Sequence, residues 1–159
     1  MTGLWGSSLG NIIMTLFISA VPVIELRGAI PVAFANGMSM ETAFVAAVIG
    51  NMLPVPIIIL FVRKVFAWMR GISEKLNRFV CKMEDKAASK KSVIDKYEWW
   101  GLVLLVAIPL PGTGAWTGAL VAAMLDMSLR RSLPAIFVGV LIAGVIVTAV
   151  TYGAVASLI

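Results

Sequence analysis

The chain has 159 residues, 60% hydrophobic and 13% charged, with a mean hydropathy of +1.00 and a formal net charge of +5. A soluble domain carries about 45–50% apolar and about 25% charged residues, so the composition indicates one small membrane domain over residues 1–159. A lone cysteine, Cys81, and no histidine exclude disulfide frameworks, zinc sites and Ser-His or Cys-His nucleophiles within one chain, and no glycine-rich loop ending in lysine is present for ATP.

In chain order, residues 1–24 carry no charge, and Arg27 is the first basic residue, so the basic start of a cleavable signal peptide is absent. A break is expected at Val21-Pro22-Val23-Ile24-Glu25-Leu26-Arg27-Gly28-Ala29-Ile30-Pro31, because proline removes a backbone donor and glycine relaxes the backbone. Asn36-Gly37 is a turn. Residues 42–62 form an apolar run of 21, long enough for a bilayer core of about 30 Å, with a kink at Pro54 and Pro56. Asn51 within it is expected to bond a neighbouring helix.

Residues 63–98 hold ten of the thirteen basic and five of the eight acidic residues. Arg63 to Lys91 reads as an amphipathic helix, with Phe66, Met69, Ile72, Leu76, Phe79, Met83 and Ala87 on one face. Arg78, Lys82, Lys86 and Lys90 form a basic stripe, either against anionic headgroups or simply solvated in the cytoplasm. A basic centre between apolar halves points to membrane topology, not to nucleic acid. Tyr97, Trp99 and Trp100 mark re-entry into lipid. Residues 99–125 are uncharged and broken at Ile108-Pro109-Leu110-Pro111-Gly112-Thr113-Gly114-Ala115-Trp116-Thr117-Gly118, and residues 132–159 are a final uncharged run of 28.

The halves resemble each other. Pro22 and Pro31 are nine apart, as are Pro109 and Gly118; Met38-Ser39 leads to Gly50 as Met127-Ser128 leads to Gly139. The expected fold is an all-α integral membrane protein built as an inverted repeat. The first repeat covers 9–62, as a re-entrant helical hairpin over 9–38 and a transmembrane helix over 42–62. A basic amphipathic cytoplasmic helix and loop over 63–98 joins it to the second repeat over 99–159, with a hairpin over 99–126 and a transmembrane helix over 132–158. This places Arg130 and Arg131 in the cytoplasm, as the positive-inside rule requires. Two spans and two hairpins make a thin bundle, so a homo-oligomer is expected.

Glu25 and Arg27 are the charges inside the first apolar segment, where an isolated charge costs at least a few kcal/mol. In an unwound turn they can converge. They are either an ion pair pinning the hairpin or a working pair, with Glu25 exchanging a proton or binding a cation and Arg27 holding an anionic group or tuning Glu25. Burial favours the neutral acid and the arginine opposes it. Around the second break, Thr113 and Thr117 either coordinate an ion or cap freed backbone, and Trp116 either touches substrate or packs. Gly114, Gly118 and Ala122 are a small-residue stripe that allows close helix packing.

Residues 25–33, Glu-Leu-Arg-Gly-Ala-Ile-Pro-Val-Ala, and 108–122, Ile-Pro-Leu-Pro-Gly-Thr-Gly-Ala-Trp-Thr-Gly-Ala-Leu-Val-Ala, resemble the two signature segments of the small multidrug export protein family. That family is similar to the DedA/VTT membrane proteins, with paired re-entrant hairpins in an inverted repeat. The wider group translocates lipid carriers such as undecaprenyl phosphate or scrambles phospholipids, with proton coupling through intramembrane charges. The resemblance puts Glu25, Arg27 and Pro31 in one hairpin motif and Pro109, Pro111, Gly112 and Gly114 in the other. Thr113 stands where the DedA pattern leads one to expect a glutamate, leaving a single intramembrane acid.

The leading expectation is a secondary transporter or translocase of a prokaryotic inner membrane, moving a small amphipathic or lipid-linked anion past the two hairpin tips. Its partners would be membrane lipid, that substrate and protons as a candidate coupling ion. Proton-coupled export of lipophilic cations at Glu25 is one alternative, and a non-transporting scaffold the other. An enzyme is disfavoured, since one carboxylate without histidine leaves little for acid–base work. No cofactor or metal is expected.

Overall fold

The computed structural model describes residues 6–88, 91–110 and 113–156. All its elements are helices: α1 (Ser8–Ala20), α2 (Glu25–Ala35), α3 (Met40–Met52), α4 (Pro54–Ile72), α5 (Glu74–Ala88), α6 (Lys91–Ala107), α7 (Ala115–Met124) and α8 (Leu129–Ala156). Two stretches are long and apolar enough to cross a membrane, Met40–Ile72 with 33 residues and Leu129–Ala154 with 26. The apolar helices Ser8–Ala20, Tyr97–Ala107 and Ala115–Met124 are shorter. At 1.5 Å per residue they reach roughly 15–20 Å, short of a core of about 30 Å.

The first long helix exceeds the expected 42–62. Ser39 caps its start, its Oγ accepting from Thr42 N at 3.4 Å. Pro54 does not end it, because proline fits the first position of a helix and α4 restarts there after Leu53. The chain stays helical past Arg63 to Ile72 and breaks at Ser73, in extended conformation, whose Oγ accepts from Lys75 N. The amphipathic helix expected over 63–91 is therefore two helices. The break shifts the apolar phase, so that among the described side chains of α5 Val80 is buried and Phe79 is exposed. Arg78 and Lys82 are exposed on α5, with Arg78 3.6 Å from Glu74. Lys90 and the side chains of Met83, Lys86 and Ala87 lie outside the described residues. Helix α6 begins at Lys91 and runs through Tyr97 and Trp99 without a break.

Helices α1 and α2 form a hairpin. Its turn is at 21–24, and its open end is closed by Asn11 Nδ2 donating to Asn36 O at 3.4 Å. Helix α1 lies on α3, where Ser19 Oγ donates to Ala47 O. Gly50 permits this crossing, since a Cβ there would strike the Leu16 backbone. Helices α6 and α7 form a second hairpin, with Tyr97 near Leu125 across a shared groove. Helix α6 lies on α8 at Gly139, where a Cβ would strike Val103 O and Val106. Helix α2 also packs on α8, and α7 on α4.

The turns that follow the two hairpins are built alike. In the first, Gly37 N donates to Phe34 O and Met38 N to Ala33 O; in the second, Asp126 N donates to Ala123 O and Met127 N to Ala122 O. Gly37 has φ 77° and Asp126 φ 53°, the left-handed residue that such a helix C-cap needs. The core joins α2, α4, α6, α7 and α8 through Leu26, Ala29, Ile30, Ile59, Val106, Ala119, Ile136 and Val140. Asn51 is 1% exposed, and neither amide atom has a protein partner, so the expected bond to a neighbouring helix is not made.

Candidate functional site at the two helix breaks

The breaks meet. Glu25 opens α2 with φ 49°, and Val23 before it has φ 76°. A β-branched residue at positive φ is a genuine outlier. Such conformations cost about 1–3 kcal/mol each and persist where the surroundings impose them. Pro22 and the exposed Val23 make the turn, and the Glu25 side chain points inward, 4% exposed.

Its carboxylate reaches the other hairpin. Glu25 Oε1 accepts from Trp116 N at 3.1 Å, at the first turn of α7. The first amides of a helix have no partner of their own, and its N-terminal end carries partial positive charge, so a carboxylate there satisfies both. Gly114 makes the approach possible. With φ 134° and ψ −166° it takes a conformation reserved for glycine, and a Cβ there would fall on the Glu25 carboxylate.

Arg27 serves the opposite kind of end. Its Nη1 donates to Leu110 O, and its Nη2 to Ile108 O at 3.2 Å and Thr113 Oγ1 at 3.0 Å. These carbonyls follow the C-terminus of α6, where a cation suits the helix dipole. Thr113 Oγ1 also lies 2.6 Å from Ile108 O and 2.9 Å from Leu110 O, tightening the loop. Trp116 completes the brace, its indole Nε1 donating to Ala20 O at 3.2 Å, the last residue of α1.

The two charges therefore do not pair with each other, and no Glu25–Arg27 salt bridge forms among the described residues. Each instead holds one end of the other hairpin's broken helix. Neither the self-neutralising pair nor an Arg27 holding an anion anticipated this arrangement. Of the sequence candidates, Glu25, Arg27, Thr113, Gly114 and Trp116 come together. Thr117 is half-buried on the first turn of α7, and Pro109 is exposed in the loop. Pro31 sits inside α2, one turn beyond Arg27. Pro111 and Gly112 lie outside the described residues. Gly118 packs on Val106 and Ile136, as a close-packing stripe would.

Sequence reasoning missed the role of Ile108 and Leu110, which act only through backbone carbonyls. It also missed Asp126, which lies 3.6 Å from Arg63 at the far end of α7, while Arg63 donates to Met127 O. At the other end of the molecule Tyr152 Oη donates to Met38 O at 3.2 Å and its ring meets Phe34 edge-on.

A family model described as "Putative small multi-drug export protein" matches residues 25–146, which begin with Glu25 at the end of the first break and include the second. No curated protein and no solved structure matches significantly.

Proposed function

Because the chain belongs to the small multidrug export protein family, we propose that it is a membrane transporter of small amphipathic molecules, working by movement at the junction of its two breaks and not by chemical turnover. The fold reading that goes with this is an inverted pair of re-entrant hairpins. Several contacts support it. The open end of the first hairpin lies near Met38 and Tyr152, and that of the second near Arg63 and Asp126. The long helices join these two ends in opposite directions, so the hairpins enter from opposite faces and meet at their tips. Equivalent glycines, Gly50 and Gly139, carry equivalent crossings, and the two C-cap turns match bond for bond. With 63–98 in the cytoplasm, Arg130 and Arg131 fall on the same side, and the positive-inside rule is obeyed.

The observation that carries the mechanism is the seating of Glu25 on the N-terminus of α7. It is an acid flanked by apolar sequence on both sides, whereas Glu41 and Glu98 stand at the starts of their apolar stretches. Protonating it would turn a charge-assisted hydrogen bond into a neutral one, about half as strong, and loosen α7 from the first hairpin. Proton occupancy would then set whether the tips are closed or open, which is what exchange of a proton for a cationic substrate requires. Arg27 is already held by Ile108 O, Leu110 O and Thr113. An anion would have to displace those carbonyls, so the geometry supports cation exchange at Glu25 better than a lipid-linked anion at Arg27.

The test is purified protein in liposomes under a pH gradient, with a fluorescent lipophilic cation or a labelled polyprenyl phosphate. Gradient-driven movement of the cation, lost in Glu25→Gln, is expected. Movement of the polyprenyl phosphate alone would replace this reading with lipid-carrier translocation. No movement of either would leave the scaffold reading.

A further inference from the structure

Each long helix is tied by one side chain to a turn of the other half, and the two ties correspond. On α4, Arg63 donates to Met127 O in the turn after α7, with Asp126 of the same turn 3.6 Å away. On α8, Tyr152 Oη donates to Met38 O in the turn after α2 at 3.2 Å, and its ring meets Phe34 edge-on with centroids 4.5 Å apart. Both side chains are half-buried.

Met127 stands 89 positions after Met38, and Tyr152 stands 89 positions after Arg63. Donor and acceptor therefore keep one register in both halves. The same interval relates Gly37 to Asp126, the left-handed residues of the two turns, and Gly50 to Gly139, the two crossing glycines. It also relates Arg27 to Trp116, whose donors reach carbonyls at the end of the other hairpin's first helix. The ties thus lie at the open ends of the hairpins, while Arg27 and Trp116 join the tips. A hairpin whose closing turn is held to the other half's long helix cannot tilt away from it. The tips stay together while both ties hold, and breaking one frees one hairpin and leaves the other fixed. Packed interfaces of this kind switch between discrete arrangements instead of deforming gradually.

We propose that Arg63 and Tyr152 are paired latches that set from which face the junction of the breaks is reached. The inference rests on the transport reading above and assigns its two gates. Release of Arg63 from Met127 O frees the second hairpin and opens the junction toward the side of residues 63–98. Release of Tyr152 from Met38 O frees the first hairpin and opens the junction toward the opposite side. The latches are unequal. Arg63 makes a charge-assisted bond, and Tyr152 a neutral one about half as strong.

The experiment measures access to Ala115, which is fully buried at the start of α7. A membrane-impermeant cationic methanethiosulfonate is applied to the full chain carrying Cys81→Ser and Ala115→Cys, in intact cells and in inside-out vesicles. With both latches present, labelling is expected to be slow from either face. Arg63→Gln should speed it roughly tenfold or more in inside-out vesicles only, the loss of a hydrogen bond to a charged group. Tyr152→Phe keeps the ring on Phe34 and should speed it roughly fivefold in intact cells only. Arg63→Lys keeps a charged donor and should label more slowly than Arg63→Gln. A rise from both faces in either variant marks general loosening and would overturn the proposal, as would no rise, or a rise from the same face in both variants. Should Arg63→Gln fail to accumulate, Tyr152→Phe decides: a rise confined to intact cells supports the latches, and its absence overturns them. No substrate enters the measurement, so its failure is separate from a failure of the liposome transport assay.

Discussion

Replacing Gly114 by alanine tests whether the two breaks are joined as described. At φ 134° and ψ −166° a residue with a Cβ costs about 1–3 kcal/mol. The new methyl would also occupy the position of the Glu25 carboxylate and push it off Trp116 N. A hydrogen bond to a charged group contributes about 1.5–3 kcal/mol. Together the loss is about 2.5–6 kcal/mol, against a total stability of about 5–15 kcal/mol. For a chain of this size each kcal/mol moves the midpoint by about 2–4 °C. Thermal unfolding of purified protein in detergent should therefore show a midpoint roughly 5–24 °C below wild type. The second half of the test is the double variant Gly114→Ala with Glu25→Ala. Without the carboxylate there is nothing left to collide with, so only the backbone strain is added to the loss of Glu25. The double variant should be more stable than the sum of the single losses predicts, by about 1.5–3 kcal/mol. A Gly114→Ala midpoint within about 2 °C of wild type, or strictly additive losses, would refute the contact.

Three further outcomes are expected. Glu25→Gln combined with Arg27→Gln should melt no higher than Arg27→Gln alone, because each charge serves a different helix end; recovery in the double variant would instead indicate a mutual ion pair. Gly50→Ala and Gly139→Ala should each destabilise by about 1–3 kcal/mol through overpacking, while Gly101→Ala, with open space around it, should be neutral or stabilising by up to about 1 kcal/mol in the same melting assay. In a Cys81→Ser background, a cysteine at 36 should react with impermeant maleimide from outside intact cells and one at 130 should not; labelling at 130 from outside would sink the re-entrant topology.

The positions of the breaks were legible because proline and glycine act locally, on the backbone of the residues that carry them. Pro22 and Pro109 each follow the end of a helix, as that chemistry says they should, but Gly28 and Pro31, expected in the first break, lie inside α2. The kink expected at Pro54 falls where α3 gives way to α4, since a proline that disrupts an interior fits a first turn. Ser73 escaped notice because one capping serine leaves no trace in apolar periodicity. The destination of the charges was not legible. Two residues apart, Glu25 and Arg27 invite pairing, but their partners, backbone groups and the Thr113 hydroxyl, lie 81 to 91 positions away. A backbone amide or carbonyl has no sequence signature. The available hint was Gly114, a glycine just before a helix start, where a side chain from elsewhere needs room. The Arg63–Asp126 contact had a weaker hint of the same kind: Asp126 takes the left-handed turn position that Gly37 holds in the first half.

The reciprocal bracing has a consequence for how the chain is made. Glu25 precedes Trp116 by 91 residues. At a synthesis rate of about 5–20 residues per second, the carboxylate waits roughly 5–18 s for the amide that receives it. Arg27 waits nearly as long for its carbonyls. During that interval neither charge has its final partner, and a charge held at membrane depth without one is costly. In the proposed re-entrant topology the first hairpin therefore cannot settle at its final depth when it emerges. On that topology it has to stay near the water, or be sheltered by the insertion machinery, until the second hairpin arrives from the other face. A chain truncated before residue 108 should consequently leave its first hairpin open to water-borne reagents, and the two halves must complete their descent together.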